Sequence, residues 1–156
     1  MIGHQEGSAS TGAAEPSFAH VFAVDASVTL AWLFEDEATP FTESILDRLV
    51  YAQVWVPALW TLECVNVLAG AQRRGRIDAS TRTALLERAL ALPLLIDREP
   101  VGMRAIDALS SEFALTAYDA SYLELAMRRG LTLATLDRDL KRAAGRAGVP
   151  VETTAS

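Results

Sequence analysis

Four short stretches of this chain each place a carboxylate where chemistry could use one. They are Asp25 in FAVDAS, Glu63 in WTLECVNVL, Asp119 in YDASYLELA and Asp137 in LATLDRDL. Asp25 is the hardest to explain as ordinary structure. It breaks a near-continuous apolar run over residues 22–34, and an unpaired buried charge costs several kcal/mol. No cationic residue lies close to it in sequence, so its partner comes from elsewhere in the fold or is a metal ion. Glu63 interrupts the apolar positions Leu59, Leu62, Val65 and Val67 of a helical pattern, and Asn66, three residues on, shares its face. Carboxylates converging on one point repel one another unless a divalent cation compensates them. Such a cation polarises phosphoryl oxygens, acidifies a bound water and orients in-line attack, which is the chemistry of phosphodiester cleavage.

The absences narrow the choice. His4 and His20 lie at or before the start of the first predicted strand, which argues against a His–Ser or His–Cys nucleophile pair and a His-rich zinc site. Cys64 is the only cysteine, so the sequence has no internal disulfide and no multi-cysteine metal site, and a cytoplasmic setting fits. Lys141 is the only lysine, and neither G-x-x-x-x-G-K-[ST] nor G-x-G-x-x-G occurs. Carboxylates, hydroxyls and arginines remain, and carboxylates without His or Cys select hard cations, Mg²⁺ or Mn²⁺.

The elements that must position these acids are legible in outline. HVFAVDAS reads as a buried strand ending near Asp25, with a short helix over 27–34. A helix starts at Thr39-Pro40 and carries Ile45, Leu46, Leu49 and Val50 at helical spacing. QVWVP is a second strand, and a long helix then carries Glu63 and ends near Gly75. Asp78 or Ser80 caps the next helix, which Pro93 stops; LLID is a third strand. A helix with Pro100 in its first turn, a helix from Asp119 to Gly130, the strand LTLATLD, a helix RDLKRAAGRAG and a last strand VPVET follow. Alternating strands and helices, with strands apolar on both faces, predict a three-layer α/β/α sandwich around a mainly parallel sheet. In such sheets ligands bind at the carboxyl ends of the strands, where Asp25 and Asp137 fall.

Length and composition set the frame. At 156 residues and 51 % hydrophobic content the chain suits one globular domain, read here as residues 20–152. Residues 1–19, rich in Gly, Ser and Ala, read as a flexible tail, and 153–156 as a short C-terminal one. No apolar run reaches the roughly 20 residues of a membrane span. The net charge of −6 argues against nonspecific coating of nucleic acid, but not against a local grip.

In order and flanking residues, VDAS, the E63-C-V-N66 helix, YDASYLELA and LATLDRDL together resemble the PIN-domain ribonucleases, and most of all the VapC-type toxins of bacterial toxin–antitoxin pairs. The resemblance covers residues 21–152. It implies a metal-dependent endoribonuclease that cuts RNA to leave a 3′-hydroxyl and a 5′-phosphate. Asp25, Glu63, Asp119 and Asp137 match the family's acidic quartet and would bind one or two Mg²⁺ or Mn²⁺ ions, Asp25 and Asp119 most directly. Ser27 and Thr135 match its small hydroxyl positions and would orient a carboxylate or a water. Asn66 matches a polar position beside the glutamate. The same resemblance implies a homodimer and a cognate antitoxin whose tail covers the site.

Each of these residues also has a plainer reading. Asp119 and Asp137 suit helix N-caps, and Glu63 suits an exposed helix face. Asp139 and Glu124 are either further acids of the site or ordinary surface residues, and Glu35, Asp36 and Glu37 read as a solvated loop. Arg128, Arg129, Arg138, Lys141, Arg142 and Arg146 form a local basic patch in an acidic protein, suited either to RNA phosphates or to solubility. Arg73, Arg74 and Arg76 complement a helix dipole, while Trp32 and Phe34 are candidates for a protein interface. Two other functions compete: a non-catalytic binding module of the same fold, and a phosphoaspartyl or receiver-like domain with Asp25 as acceptor. The second lacks a paired acid beside Asp25 and a lysine at a strand end.

Overall fold

The computed structural model describes residues 20–154; the expected tail over 1–19 lies outside them. Four parallel strands form the sheet in the order β3-β2-β1-β4: β1 His20–Val24, β2 Ala52–Pro57, β3 Leu94–Asp97 and β4 Thr132–Ala134. Phe22, Ala23 and Val24 are fully buried, as a central strand covered on both faces requires. The chain winds outward from β1 through β2 to β3, then returns to place β4 on the other side of β1. The reversal between β1 and β4 is a topological switch point, where open sheets leave a crevice at their carboxyl ends.

Helices cover both faces of the sheet. α1 (Ala26–Leu33), α2 (Pro40–Asp47), α3 (Leu59–Arg73) and α4 (Ala79–Ala91) pack among themselves, while α6 (Ala117–Arg129) joins α5 (Met103–Phe113) and α7 (Arg138–Ala147) and lies against β1 and β2. Right-handed crossovers place the two groups on opposite faces. This is the predicted three-layer sandwich. Several predicted caps are present. Thr39 and Thr42 form a reciprocal capping box that spans Pro40, Asp78 accepts from the Thr81 N–H at 2.7 Å, and Gly130 ends α6 at φ 63°.

Other expectations need correction. α5 begins at Met103, after Pro100 rather than around it, because Asp97 Oδ1 accepts the Glu99 N–H at 2.8 Å and holds 97–99 in a turn. The last strand is reduced to one parallel bridge between Val151 and Leu133, since Pro150 has no N–H to extend the ladder. Arg48 fastens this segment by an ion pair to Glu152 at 2.6 Å. Trp32 and Phe34 are core, not interface. Trp32 donates its indole N–H to the Thr42 carbonyl at 2.7 Å, and the Arg76 guanidinium stacks 4.1 Å from the Phe34 ring centroid. Arg76 also reaches Asp36 and Glu37, both at 2.9 Å, so it ties down the acidic loop rather than simply complementing its own helix.

β3 is fixed to α6 by a buried carboxylate with ample countercharge. Asp97 is 3 % exposed and accepts from Arg129 at 2.7 Å, with Arg128 at 3.0 Å. Burial alone would raise its pKa, but the two guanidiniums and the Glu99 N–H hold it below the ordinary value. Replacing Asp97 with Ala leaves both arginines, which still reach solvent, and removes their shared acceptor. Charge-assisted bonds of this kind predict a loss of roughly 3 kcal/mol, read by urea unfolding, with divalent-cation binding unchanged.

Candidate active site

The site grows from the carboxyl end of β1. Asp25 follows Val24 and continues the ladder, its N–H donating to the Ala134 carbonyl of β4 at 3.1 Å. The residue is 3 % exposed. Ser27 Oγ donates to Oδ1 and Thr135 Oγ1 to Oδ2, each at 2.5 Å, and the Val28 N–H donates to Oδ1 at 3.3 Å, so that Asp25 also caps α1. The plain reading of a cap and the chemical reading coexist in this residue. Both hydroxyls have a second duty. Ser27 Oγ accepts the Leu136 N–H and Thr135 Oγ1 accepts the Asp137 N–H, both at 3.0 Å. Asp25 is thereby tied to the loop that carries Asp137.

The other three acids arrive from separate elements. Asp119 lies in the first turn of α6, but the cap there is Thr116, whose hydroxyl accepts the Asp119 N–H at 3.1 Å. The Asp119 carboxylate is therefore not spent on capping. Asp137 does cap α7, accepting the Leu140 N–H at 2.8 Å. Glu63, half-buried on α3, accepts from the Tyr122 hydroxyl at 2.5 Å. Three of the four acids thus sit at helix N-termini, whose positive ends partly offset their charge.

Like-charge repulsion couples the group. Burial raises the Asp25 pKa to about 6 against the hydrogen bonds from Ser27, Thr135 and Val28, and the Asp119 charge raises it further. Burial also raises Glu63, against the Tyr122 hydrogen bond and with the charge of Asp119. Asp119 itself is raised by burial and by the charges of Asp137 and Asp139. Asp119 is the common neighbour. Among the described residues no lysine or arginine pairs with any of the four acids. Nor do any three His, Cys, Asp or Glu side chains among them stand ready to grip one ion. By type these donors, carboxylates without a paired cationic side chain among the described residues, suit a hard divalent cation, and the other three acids each couple to Asp119.

The remaining candidates divide. Asp139 adds its charge to the group, though its carboxylate pairs with Arg142 at 2.6 Å. Glu124 turns away to Arg128 at 2.7 Å. Arg128 and Arg129 serve Asp97, and they lie nine to ten residues along α6 from Asp119, about 14 Å at helical rise. Arg138 has no side-chain hydrogen bond or ion pair among the described residues, and Lys141 lies over the Phe41 ring at 5.7 Å. Asn66 shares an open depression of about 430 Å³ with Leu59, Leu62, Glu63, Val67 and Tyr118. Tyr122 is the residue that sequence reasoning missed. A signal was present: it follows Asp119 by three on one helix face, and a buried tyrosine needs a partner for its hydroxyl.

Comparison with known proteins agrees with this architecture. The PIN-domain family model matches residues 22–146. The crystal structure of PAE2754 from Pyrobaculum aerophilum superposes with a TM-score of 0.61 at 26 % identity, covering 80 % of this chain and 86 % of that one. The crystal structure of VapBC2 from Rickettsia felis, bound to a DNA fragment from their promoter, gives 0.62 at 13 % identity, covering 85 % and 97 %. The second likeness is one of fold alone. No curated protein matches the sequence.

The Asp25 pKa carries a stability consequence. The folded value, about 6, lies above the ordinary 3.8, so between them the folded state keeps a proton that the unfolded state has lost. Stability of the metal-free protein therefore falls as pH rises from about 4 to 6, by about 3 kcal/mol for two pKa units. Asp25→Asn removes that charge. Denaturation across pH should show the variant more stable than wild type at pH 7.5, with the difference closing below pH 4.

Proposed function

The chain belongs to the PIN-domain family, and from that premise we propose that it is a metal-dependent endoribonuclease acting as the VapC-type toxin of a toxin–antitoxin pair. The observation that carries the reading is Asp25: a buried carboxylate at the switch point, gripped by hydroxyls, within reach of the Asp119 charge and paired with no cationic side chain among the described residues. Asp25 and Asp119 would hold one or two Mg²⁺ or Mn²⁺ ions, with Glu63 and Asp137 completing the donor set. The cation, when bound, supplies polarisation of a phosphoryl oxygen and an acidified water for attack. Ser27 and Thr135 keep both oxygens of Asp25 fixed, and Thr135 also holds the backbone of Asp137.

The substrate reading is RNA. The depression beside Glu63 offers an exposed ring at Tyr118 and an amide at Asn66, groups suited to an unstacked base. Arg138 and Lys141 follow Asp137 on α7 and are exposed, placing positive charge where phosphates would run. Arg128, Arg129 and Arg142 are engaged by carboxylates and would contribute less. The antitoxin partner is supported by the likeness to VapBC2 from Rickettsia felis. A homodimer is supported by exposed apolar residues away from that depression, such as Leu90 at 70 % and Met103 at 88 %. Among the described residues no helix is long and apolar enough to cross a membrane.

Asp25→Ala and Asp119→Ala should each lower RNA cleavage by more than about 100-fold, since even residues that merely support a metal ligand are worth ~10–100-fold. Sequencing of RNA ends after brief induction reads the loss and identifies the target, with 5′-phosphate ends expected in wild type only. Undiminished cleavage by Asp25→Ala, with contaminating nuclease excluded, would contradict the assignment.

A further inference from the structure

We propose that Tyr122 is a positioning residue for Glu63: its hydroxyl holds the glutamate where it can share a divalent cation with Asp119, an inference that rests on the metal-dependent reading above. Tyr122 is 1 % exposed, and its ring is packed into the core. Its hydroxyl donates to Glu63 Oε1 at 2.5 Å. Among the described residues this is the sole side-chain hydrogen bond joining α3 to α6, and those helices belong to opposite layers of the sandwich. A rigid ring anchored in one layer thereby fixes a flexible side chain of the other.

The geometry of α6 gives the bond its function. Asp119 and Tyr122 are three residues apart, one turn of the same helix, and project to the same side. The turn that presents the Asp119 carboxylate therefore also presents the donor that orients Glu63. A glutamate on a half-buried helix has three side-chain torsions to order before it can serve as a ligand. Tyr122 orders them in advance, as Ser27 and Thr135 do for Asp25. A carboxylate facing a cation stays deprotonated and remains an acceptor, so the tyrosine bond persists when the ion binds. Asn66, on the same face of α3, makes no side-chain hydrogen bond among the described residues and does not substitute for it.

The test is a double-mutant cycle read as Mn²⁺ affinity by calorimetry, on wild type, Y122F, E63Q and the double variant. Y122F keeps the buried ring and removes only the hydroxyl. The expected result is a Mn²⁺ affinity about 10-fold weaker or more in Y122F, with the double variant no weaker than E63Q, because Tyr122 acts through Glu63. RNA cleavage by Y122F should recover at saturating Mn²⁺. E63D retracts the carboxylate by one methylene while leaving Tyr122 in place, and it should weaken Mn²⁺ binding by a similar factor whatever the thermal stability of Y122F. Wild-type affinity in Y122F or in E63D, or losses that add fully in the double variant, would overturn the inference. Failure of wild type itself to bind Mn²⁺ would overturn the metal-dependent function and this inference with it.

Discussion

Asp25 is a buried carboxylate held by three hydrogen-bond donors and, among the described residues, by no cationic side chain, and much of the architecture fixes it there. A flexible loop would let the charge escape into water. The central strand β1 does not, because Phe22, Ala23 and Val24 are packed on both faces and deliver Asp25 to one place. The hydroxyls that grip it also accept backbone N–H groups from the segment after β4, so the charge and the crevice wall are built together. Desolvation keeps its pKa high. The protein carries a standing electrostatic cost there, which an ion of the right charge would relieve.

Asp97 is the internal contrast. It too ends a parallel strand and is 3 % exposed, yet it faces two guanidiniums and its pKa is depressed. The same residue type at the same kind of position thus serves two ends, separated by what stands opposite. Arginines neutralise one carboxylate within the chain; at the other, hydroxyls and a backbone N–H bind the oxygens without supplying a charge. That difference is why burial of an aspartate alone is a poor indicator of a functional site, and why the identity of its neighbours decides the matter.

Much of the fold was legible because its elements carry strong local signals. Capping residues at Thr39 and Asp78, the stop at Gly130 and the apolar strands were all readable from composition and spacing. The misread places were those where a distant residue decides. The turn at Asp97 delays α5, Pro150 limits the last strand, and Arg76 captures an acidic loop 39 and 40 residues away. The site shows the same division. Asp25 was conspicuous because a charge in an apolar run is locally anomalous. The Tyr122–Glu63 bond spans 59 residues, so spacing could mark the tyrosine beside Asp119 but not its partner, and the arginines at 128 and 129 are claimed by Asp97, far from them in sequence.

The central claim is that Asp25, raised in pKa by burial and by the charge of Asp119, gives up its proton to hold a divalent cation. It is tested most directly by proton release on Mn²⁺ binding, measured by calorimetry in buffers of different ionisation enthalpy. A ligand must be deprotonated to bind metal, and Asp25, with a pKa of about 6, holds roughly half a proton at pH 6. Binding at pH 6 should therefore release about half a proton or more, with release fading toward zero at pH 8. Binding without proton release at pH 6, or no binding at either pH, would contradict the account.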